Sequence, residues 1–201
     1  MSTAFVLGNG TSRKQIKDLP ELKKRGIVYA CNAIYRDFQY PDLIVAVDPK
    51  MIHELYENNV HTKCPVWTNY NNQYKKYSGL NYFNPNRGWS SGPTAMRKAL
   101  DDGSSQMYIF GFDYMGVAGK FNNVYAGSKN YKQVGTEPTY FGNWQNQTVK
   151  NVQDFKHICK IFRVFDPNIG TPGVLNKTEG ITHITYDDFY SQHWTTLKIR
   201  T

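Results

Sequence analysis

The chain has 201 residues, of which 40% are hydrophobic, 15% aromatic and 20% charged. This length suits one domain with a buried core, and the composition excludes a disordered chain. No apolar run approaches the roughly 20 residues of a membrane-spanning helix, and the first residues lack the basic and apolar regions of a secretory signal, so we expect a soluble cytoplasmic protein. Lysine and arginine total 24 against 16 acidic residues, and the net charge of +8 indicates anionic partners or substrates.

Strands and helices alternate in the first half of the chain. Apolar runs predict four strands, at residues 5–7, 27–31, 43–47 and 65–67. A helix with Ile16, Leu19 and Leu22 on its apolar face follows the first strand, and a short helix begins near Met51 after the third. The chain has three cysteines, an odd number, at positions 31, 64 and 159. Their spacing fits neither a disulfide framework nor a zinc site, so we expect them to be reduced and buried.

The second half continues the alternation with less regular connections. Residues 81–87 are irregular, and Ser90-Ser91-Gly92-Pro93 then caps a helix that precedes a strand at 107–110. Residues 116–146 lack periodicity and are predicted to form a long, lid-like loop. A helix at 148–160 and a strand at 161–165 follow, and the tail contains turns with a short helix or strand near 186–190.

This alternation predicts an α/β fold with a mainly parallel sheet and helices on both faces. Ligands of such sheets bind at the carboxyl ends of the strands. Polar side chains follow five of the predicted strands, namely Asn9, Asn32, Asp48, Asn69 and Asp113. We therefore expect a binding site at that edge.

Two short turns have the composition of phosphate-binding turns. Gly8-Asn9-Gly10-Thr11-Ser12 joins a strand to a helix, and Ser90-Ser91-Gly92 opens another helix. Free N–H groups at a helix N-terminus attract phosphate. The alternatives are a tight strand–helix turn for the first segment and an ordinary N-cap for the second.

Other candidate groups leave several chemistries open. Asp48 and Asp113 suit a metal ligand, a partner for ribose hydroxyls, a base or a helix cap. The histidines are scattered and form no triad or zinc motif. The aromatic and amide-rich segments 125–131 and 140–144 suit sugars and nucleobases, or else pack on their own aromatic rings.

Five motifs in chain order resemble the bacterial lipooligosaccharide sialyltransferases that use CMP-sialic acid. They are Gly8-Asn9-Gly10-Thr11-Ser12, Cys31-Asn32-x-x-Tyr35, Thr68-Asn69-Tyr70-Asn71, Ser90-Ser91-Gly92 and Tyr108-Ile-Phe-Gly-Phe-Asp113-Tyr114. The segment Pro41-Asp-Leu-Ile-Val-Ala-Val-Asp48-Pro49 is similar to the related domain of motility accessory proteins and archaeal hydroxymethylpterin diphosphokinase. The resemblance covers residues 4–165 and implies a single Rossmann-like domain of the GT-A-variant kind over residues 1–201.

The resemblance also implies roles for individual residues. Asn9 and Asn32 would hold the phosphates, ribose or base of the nucleotide, Ser90, Ser91 and Gly92 would contact the donor sugar or phosphate, and Tyr114 and Tyr140 would surround the leaving phosphate. No metal is implied. Two departures stand out: Asn143 takes the place of the catalytic histidine, and asparagine takes up no proton at neutral pH. Asp48 takes the place of an asparagine, which leaves a Mg²⁺ requirement open.

Our leading hypothesis is a glycosyltransferase that passes a sugar from a nucleotide donor to an acceptor hydroxyl on a glycan or nucleic acid, with Asp48 or Asp113 as the base. The alternatives are a Mg²⁺-dependent diphosphotransferase of the pterin-kinase kind and a nucleotide- or nucleic-acid-binding protein without turnover. Some virus-encoded enzymes glycosylate nucleic acid, and a viral source would place the protein in the host cytoplasm. A homo-oligomer is left open.

The positive charges fall into two groups. Those at residues 13–25 are expected on a solvated helix face. Arg87, Lys120, Lys129 and Lys132 lie on segments predicted to border the donor site, where they would face nucleotide phosphates.

Overall fold

The computed structural model describes residues 2–200, and its centre is an eight-stranded sheet in which every pair of neighbouring strands is parallel. The strands are β1 (Thr3–Leu7), β2 (Ile27–Cys31), β3 (Leu43–Val45), β4 (Val66–Asn69), β5 (Leu80–Phe83), β6 (Gln106–Phe110), β7 (Lys160–Phe165) and β8 (Ile181–Thr185). Their order across the sheet is β5-β4-β3-β2-β1-β6-β7-β8. The predicted α/β class with a parallel sheet is confirmed, and the arrangement is Rossmann-like.

The sequence does not predict two of the strands, and both lie at the edges of the sheet. Residues 80–83, expected to be largely irregular, form β5, and Ile181–Thr185 in the expected tail of turns forms β8. A central strand of a parallel sheet is buried on both faces and gives a continuous apolar run. The edge strands β5 and β8 contain polar residues such as Asn81 and His183 between their apolar residues, and they therefore lack a continuous apolar run.

Helices cover both faces of the sheet, as expected. They are α1 (Leu19–Lys23), α2 (Pro49–Glu57), α3 (Ser91–Asp101), α4 (Gly142–Phe155), α5 (Gly173–Asn176) and α6 (Tyr186–Asp188). Because successive strand side chains point to opposite faces, Phe5 packs in one core cluster with Ile52 of α2, and Val6 packs in the other with Ala95 of α3. No helix in residues 2–200 is long and apolar enough to cross a membrane.

The long connection after β6 is shorter and better packed than expected. It ends at Phe141, because α4 begins at Gly142 and not after residue 146. The start of α4 carries the exposed residues Asn143 and Asn146 and therefore gives little apolar periodicity. Tyr125 of the connection is buried in the core cluster, and Val124 and Tyr131 pack against it. We refer to residues 116–141 as the covering segment.

The strand order creates a crevice at the carboxyl edge of the sheet. β1 lies between β2 and β6, so the connections that leave β1 and β6 run to opposite sides of this pair. Such a reversal opens a space between the two connections, where α/β proteins bind ligands. Gly8 follows β1 and Gly111 follows β6, which places the first glycine turn at this point.

Candidate functional site

A cavity of about 130 Å³ occupies the crevice between β1 and β6. Its wall comes from the residues that follow β1, β2 and β6 and from the starts of α3 and α4. Nine of the predicted site residues meet there: Gly8, Asn9, Gly10, Asn32, Ser90, Ser91, Gly92, Asp113 and Tyr114. Most of the residues that we expected to meet at the carboxyl ends of the strands therefore do line this cavity.

Four of the five N–H groups of the first glycine turn have acceptors in the protein, and only that of Asn9 has none among residues 2–200. The Gly10 N–H donates to the Gly111 carbonyl at 2.8 Å, and the Thr11 N–H donates to Asn122 Oδ1 at 2.8 Å. The Ser12 N–H donates to Asp113 Oδ2 at 3.2 Å. Since these N–H groups already have acceptors, the tight-turn interpretation accounts for this segment, and Thr11 and Ser12 do not line the cavity.

Asp113 joins the two sides of the crevice. Its side chain is buried, and it accepts hydrogen bonds from the Ser12 hydroxyl at 2.5 Å and from Asn122 Nδ2 at 3.0 Å, in addition to the Ser12 N–H. Three of the acceptor positions of this carboxylate are thus taken. The contacts make Asp113 a structural link between the two connections.

Arg13 is a component of the site that the sequence does not reveal. A solvated face is expected for it, but it is 3% exposed and donates to Gly8 O at 3.2 Å and Asn9 Oδ1 at 3.0 Å. Asp37 and the Tyr125 hydroxyl accept from its other nitrogen. A guanidinium only donates, so Asn9 must turn its oxygen towards it. Asp37 and Tyr125 lie 24 and 112 positions from Arg13 in the sequence, so no local pattern predicts that it is buried.

The second turn, at the start of α3, differs because two of its three N–H groups, those of Ser91 and Gly92, have no acceptor among residues 2–200. The Ser90 N–H donates to Gln147 Oε1 at 3.0 Å, but the Ser90 hydroxyl makes no capping bond. The Ser91 and Gly92 N–H groups are among the first N–H groups of an 11-residue helix, whose dipole favours a negative charge at this end.

Asn32 adds a further donor beside this turn. Its Oδ1 accepts from the Ser91 hydroxyl at 2.9 Å, and the same hydroxyl oxygen accepts the Val47 N–H at 3.2 Å. The Asn32 amide nitrogen is therefore left for the cavity. Asn32 has a left-handed backbone with φ of 56°, as has Tyr114 across the cavity. Such strain in non-glycine residues occurs where surrounding contacts enforce it, often at binding sites.

Aromatic side chains form the other wall. Phe112, Tyr114, Phe141 and Trp144 line the cavity, and the rings of Phe141 and Trp144 meet edge to face at 5.8 Å. The Tyr114 hydroxyl is hydrogen-bonded to Thr148 of α4, and burial raises its pKa above the ordinary value. Burial also raises the pKa of the Cys31 thiol, in the same wall, to about 12. Both groups are neutral at physiological pH.

A second buried arginine supports this wall from behind. Arg163 on β7 is 1% exposed and donates through Nε to the Phe112 carbonyl at 2.7 Å and through Nη1 to Thr171 at 2.9 Å. No carboxylate of the described chain pairs with it, and burial lowers its pKa. Arg163 therefore fixes the turn after β6 and leaves a positive charge behind the cavity. The apolar pattern of β7 gives no reason to select it.

Four other predicted residues lie outside the cavity. Asp48 is exposed and caps α2 by accepting the Lys50 N–H at 2.9 Å, and Asn69 accepts the Arg87 N–H at 2.7 Å. Tyr140 is 76% exposed, and Asn143 is exposed on the first turn of α4. Asp48, the carboxylate that a Mg²⁺-dependent reaction would need, therefore lies outside the crevice. No cluster of three or more metal-ligating side chains occurs in residues 2–200.

The cations expected to border the donor site do not line it. Arg87 pairs with Asp101, Lys129 lies 3.6 Å from Glu57, and Lys120 and Lys132 are exposed. The polar part of the cavity wall, among residues 2–200, therefore consists of neutral groups and one carboxylate, and Arg163 supplies positive charge from behind Phe112. The expectation that these four cations face nucleotide phosphates is not met by this arrangement.

The covering segment is tied to the body of the protein. Arg36 lies between the rings of Tyr125 and Tyr131, 5.6 and 5.7 Å from their centres, and pairs with the buried carboxylate of Glu54 at 2.5 Å. Asn130 also donates to Glu54 at 2.7 Å. The aromatic rings of residues 125–131 thus pack on the protein, so the packing interpretation applies to this stretch.

Comparisons with protein-family models, curated proteins and solved structures give no match for this chain.

Proposed function

We propose that the protein binds a nucleotide-activated sugar in the crevice between β1 and β6 and transfers the sugar to an acceptor hydroxyl. The observation that carries the proposal is the set of free donors at one end of the cavity: the Ser91 and Gly92 N–H groups, the Ser90 hydroxyl and the Asn32 amide nitrogen. Groups that only donate, or are free to donate, require a ligand rich in acceptors, and a phosphate at a helix N-terminus is such a ligand.

The rest of the cavity suits the other parts of such a donor. The rings of Phe112, Phe141 and Trp144 offer flat apolar surface to a sugar or nucleobase. In the reaction, the acceptor oxygen bonds to the anomeric carbon while the bond from that carbon to the phosphate oxygen breaks, and the proton of the acceptor hydroxyl passes to the departing phosphate. Negative charge then grows on the phosphate, and donors fixed before the reaction stabilise it. The positive charge of Arg163 behind Phe112 acts in the same direction.

The size of the cavity sets a condition on binding. Ligand sites usually enclose about 300–1,000 Å³, whereas this one has about 130 Å³. That volume accommodates a phosphate and part of one ring. A complete nucleotide sugar must therefore extend beyond this volume.

Titration calorimetry with CMP-, UDP- and GDP-sugars tests the proposal. One of these donors is expected to bind, and Asn32→Ala is expected to weaken that binding at least about tenfold, because a buried ligand acceptor loses its donor. Asn146→Ala is the matched control, since Asn146 is exposed on α4 and outside the cavity. Absence of binding to all three donors, or equal affinities of the two variants, contradicts the proposal.

One observation favours a second candidate, a nucleotide-binding protein without turnover. Among residues 2–200 no histidine lines the cavity, and Asp113, the one carboxylate in its wall, already accepts three hydrogen bonds. Incubation of the protein with the donor that binds and a panel of glycan and nucleic-acid acceptors, followed by mass spectrometry, separates the candidates. A product heavier by one sugar supports transfer, whereas tight binding with no product supports the second candidate.

A further inference from the structure

A second and larger cavity lies at the opposite, amino edge of the sheet. It has a volume of about 640 Å³, which is within the range of small-molecule sites. Its floor is formed by the starts of β1, β2 and β6, and its outer wall by residues 196–200. We call it the amino-edge groove. Among residues 2–200, no residue lines both this groove and the crevice between β1 and β6.

The outer wall is held in place by contacts with the body of the protein. The Arg200 N–H donates to the Lys24 carbonyl at 2.6 Å, and Arg25 Nη1 donates to the Leu197 carbonyl at 2.7 Å. The Arg25 guanidinium also stacks on the Trp194 ring at 4.4 Å. These contacts fix residues 197–200 across the strand ends, so the groove is a formed feature of the fold.

Three positively charged side chains line the groove. Arg25, Lys198 and Arg200 line it, and no aspartate or glutamate does so among the described residues. Asp42, outside the lining, pairs with Arg200 at 3.0 Å and offsets one of the three charges. Lys198 has no acidic partner in residues 2–200, and Nη2 of Arg25 has no acceptor there. Uncompensated cations facing one space attract an anion of matching size.

We propose that the amino-edge groove binds a small molecule that carries two or more phosphoryl groups. The two uncompensated charges match a diphosphate or longer chain, and Arg25 and Arg200 present guanidinium groups, whose fork geometry suits phosphate oxygens. The apolar side chains of Ile27, Leu197 and Ile199 in the same groove leave space for an organic part of the ligand. This site is independent of the function proposed for the crevice.

Calorimetry with tripolyphosphate as the probe, at about 150 mM salt to suppress general attraction, tests the site. The double variant Lys198→Ser with Arg200→Ser is compared with Lys75→Ser with Lys177→Ser, which lowers the net charge equally at exposed positions outside both cavities. We expect the first pair to weaken probe binding at least about tenfold and the second less than about twofold, since contact charges act more strongly than distant screened ones. Thermal unfolding of both variants verifies that they are folded.

Two controls separate binding in the groove from binding in the crevice and from attraction by net charge. Asn32→Ala, in the crevice, is expected to leave the Lys198- and Arg200-dependent binding of tripolyphosphate unchanged; loss of that binding in the Asn32 variant would assign the probe to the crevice and overturn the proposal. Equal weakening by both double variants would show attraction by net charge alone and also overturn it. The proposal is also overturned if the protein binds duplex nucleic acid or anionic vesicles through Lys198 and Arg200 but does not bind tripolyphosphate.

Discussion

The two serine- and glycine-containing turns at the carboxyl edge look alike in the sequence but differ in the fold. In the turn at residues 8–12, the N–H groups of Gly10, Thr11 and Ser12 donate to Gly111, Asn122 and Asp113. In the turn at residues 90–92, the Ser91 and Gly92 N–H groups have no acceptor within residues 2–200. The difference lies in their neighbours: acceptors from the connection after β6 fold over the first turn and not over the second. A phosphate-like turn in a sequence is therefore a site only where the rest of the chain leaves its donors unoccupied.

The largest expected effect comes from removing the acceptor that closes the first turn. Asp113→Ala leaves the buried Ser12 hydroxyl and N–H without a partner, and Asn122 loses one as well. We expect the free energy of unfolding to fall by about 3 kcal/mol, the combined cost of several unsatisfied buried groups. Denaturant titration measures this, with Asp187→Ala, at an exposed aspartate, as the control. A change below about 1 kcal/mol, small for one buried group, would mean that the first turn does not depend on these contacts.

Substitution of the glycines contrasts the two turns directly. A Cβ at Gly10 would lie 2.7 Å from the Gly111 carbonyl oxygen and would also collide with the Asp113 carboxylate, whereas a Cβ at Gly92 meets only ring atoms of Phe112 at 3.3 and 3.4 Å. We expect Gly10→Ala to lower the free energy of unfolding by about 2 kcal/mol through overpacking. Gly92→Ala should stay within about 1 kcal/mol of the parent protein, because alanine favours a helix. Equal losses in denaturant titrations would remove the proposed distinction.

A pair of hydroxyl deletions separates binding from stability. Ser90→Ala removes a hydroxyl without a capping bond and is expected to weaken binding of the nucleotide sugar about fivefold, near 1 kcal/mol, with little loss of stability. Thr11→Ala removes a hydroxyl that donates to Asn122 at 2.7 Å. It should cost about 1 kcal/mol of stability and leave affinity within about twofold. Calorimetry and denaturant titration on both variants measure the two quantities, and the reverse pattern would exchange the roles of the turns.

The sequence predicts the central strands because burial on both faces requires continuous apolar runs, such as Phe5-Val-Leu7 and Met107-Tyr-Ile-Phe110. Because the predicted strands are parallel, the residues that follow them, such as Asn9, Asn32 and Asp113, lie at one edge of the sheet. The sequence cannot assign β5 or β8, whose polar residues reflect their edge positions. Nor can it reveal that Asn122 occupies the donors of the first turn or that Arg13 is buried, because these contacts join residues about a hundred positions apart. Local patterns locate strand ends, but long-range contacts decide which donors remain free.

The smallest expected effect is that of salt on ligand affinity in the crevice, and it distinguishes the turn at residues 90–92 from the amino-edge groove. Within residues 2–200 no lysine or arginine lines the crevice, and Arg13 behind it is buried and paired with Asp37. Ions of the solvent screen exposed charges strongly and buried ones weakly. Affinity for the nucleotide sugar should therefore change less than about threefold between about 50 and 300 mM sodium chloride, whereas tripolyphosphate binding in the groove should weaken steeply. A steep salt dependence in the crevice would require exposed cations, such as Lys120 of the covering segment, to move onto the ligand when it binds.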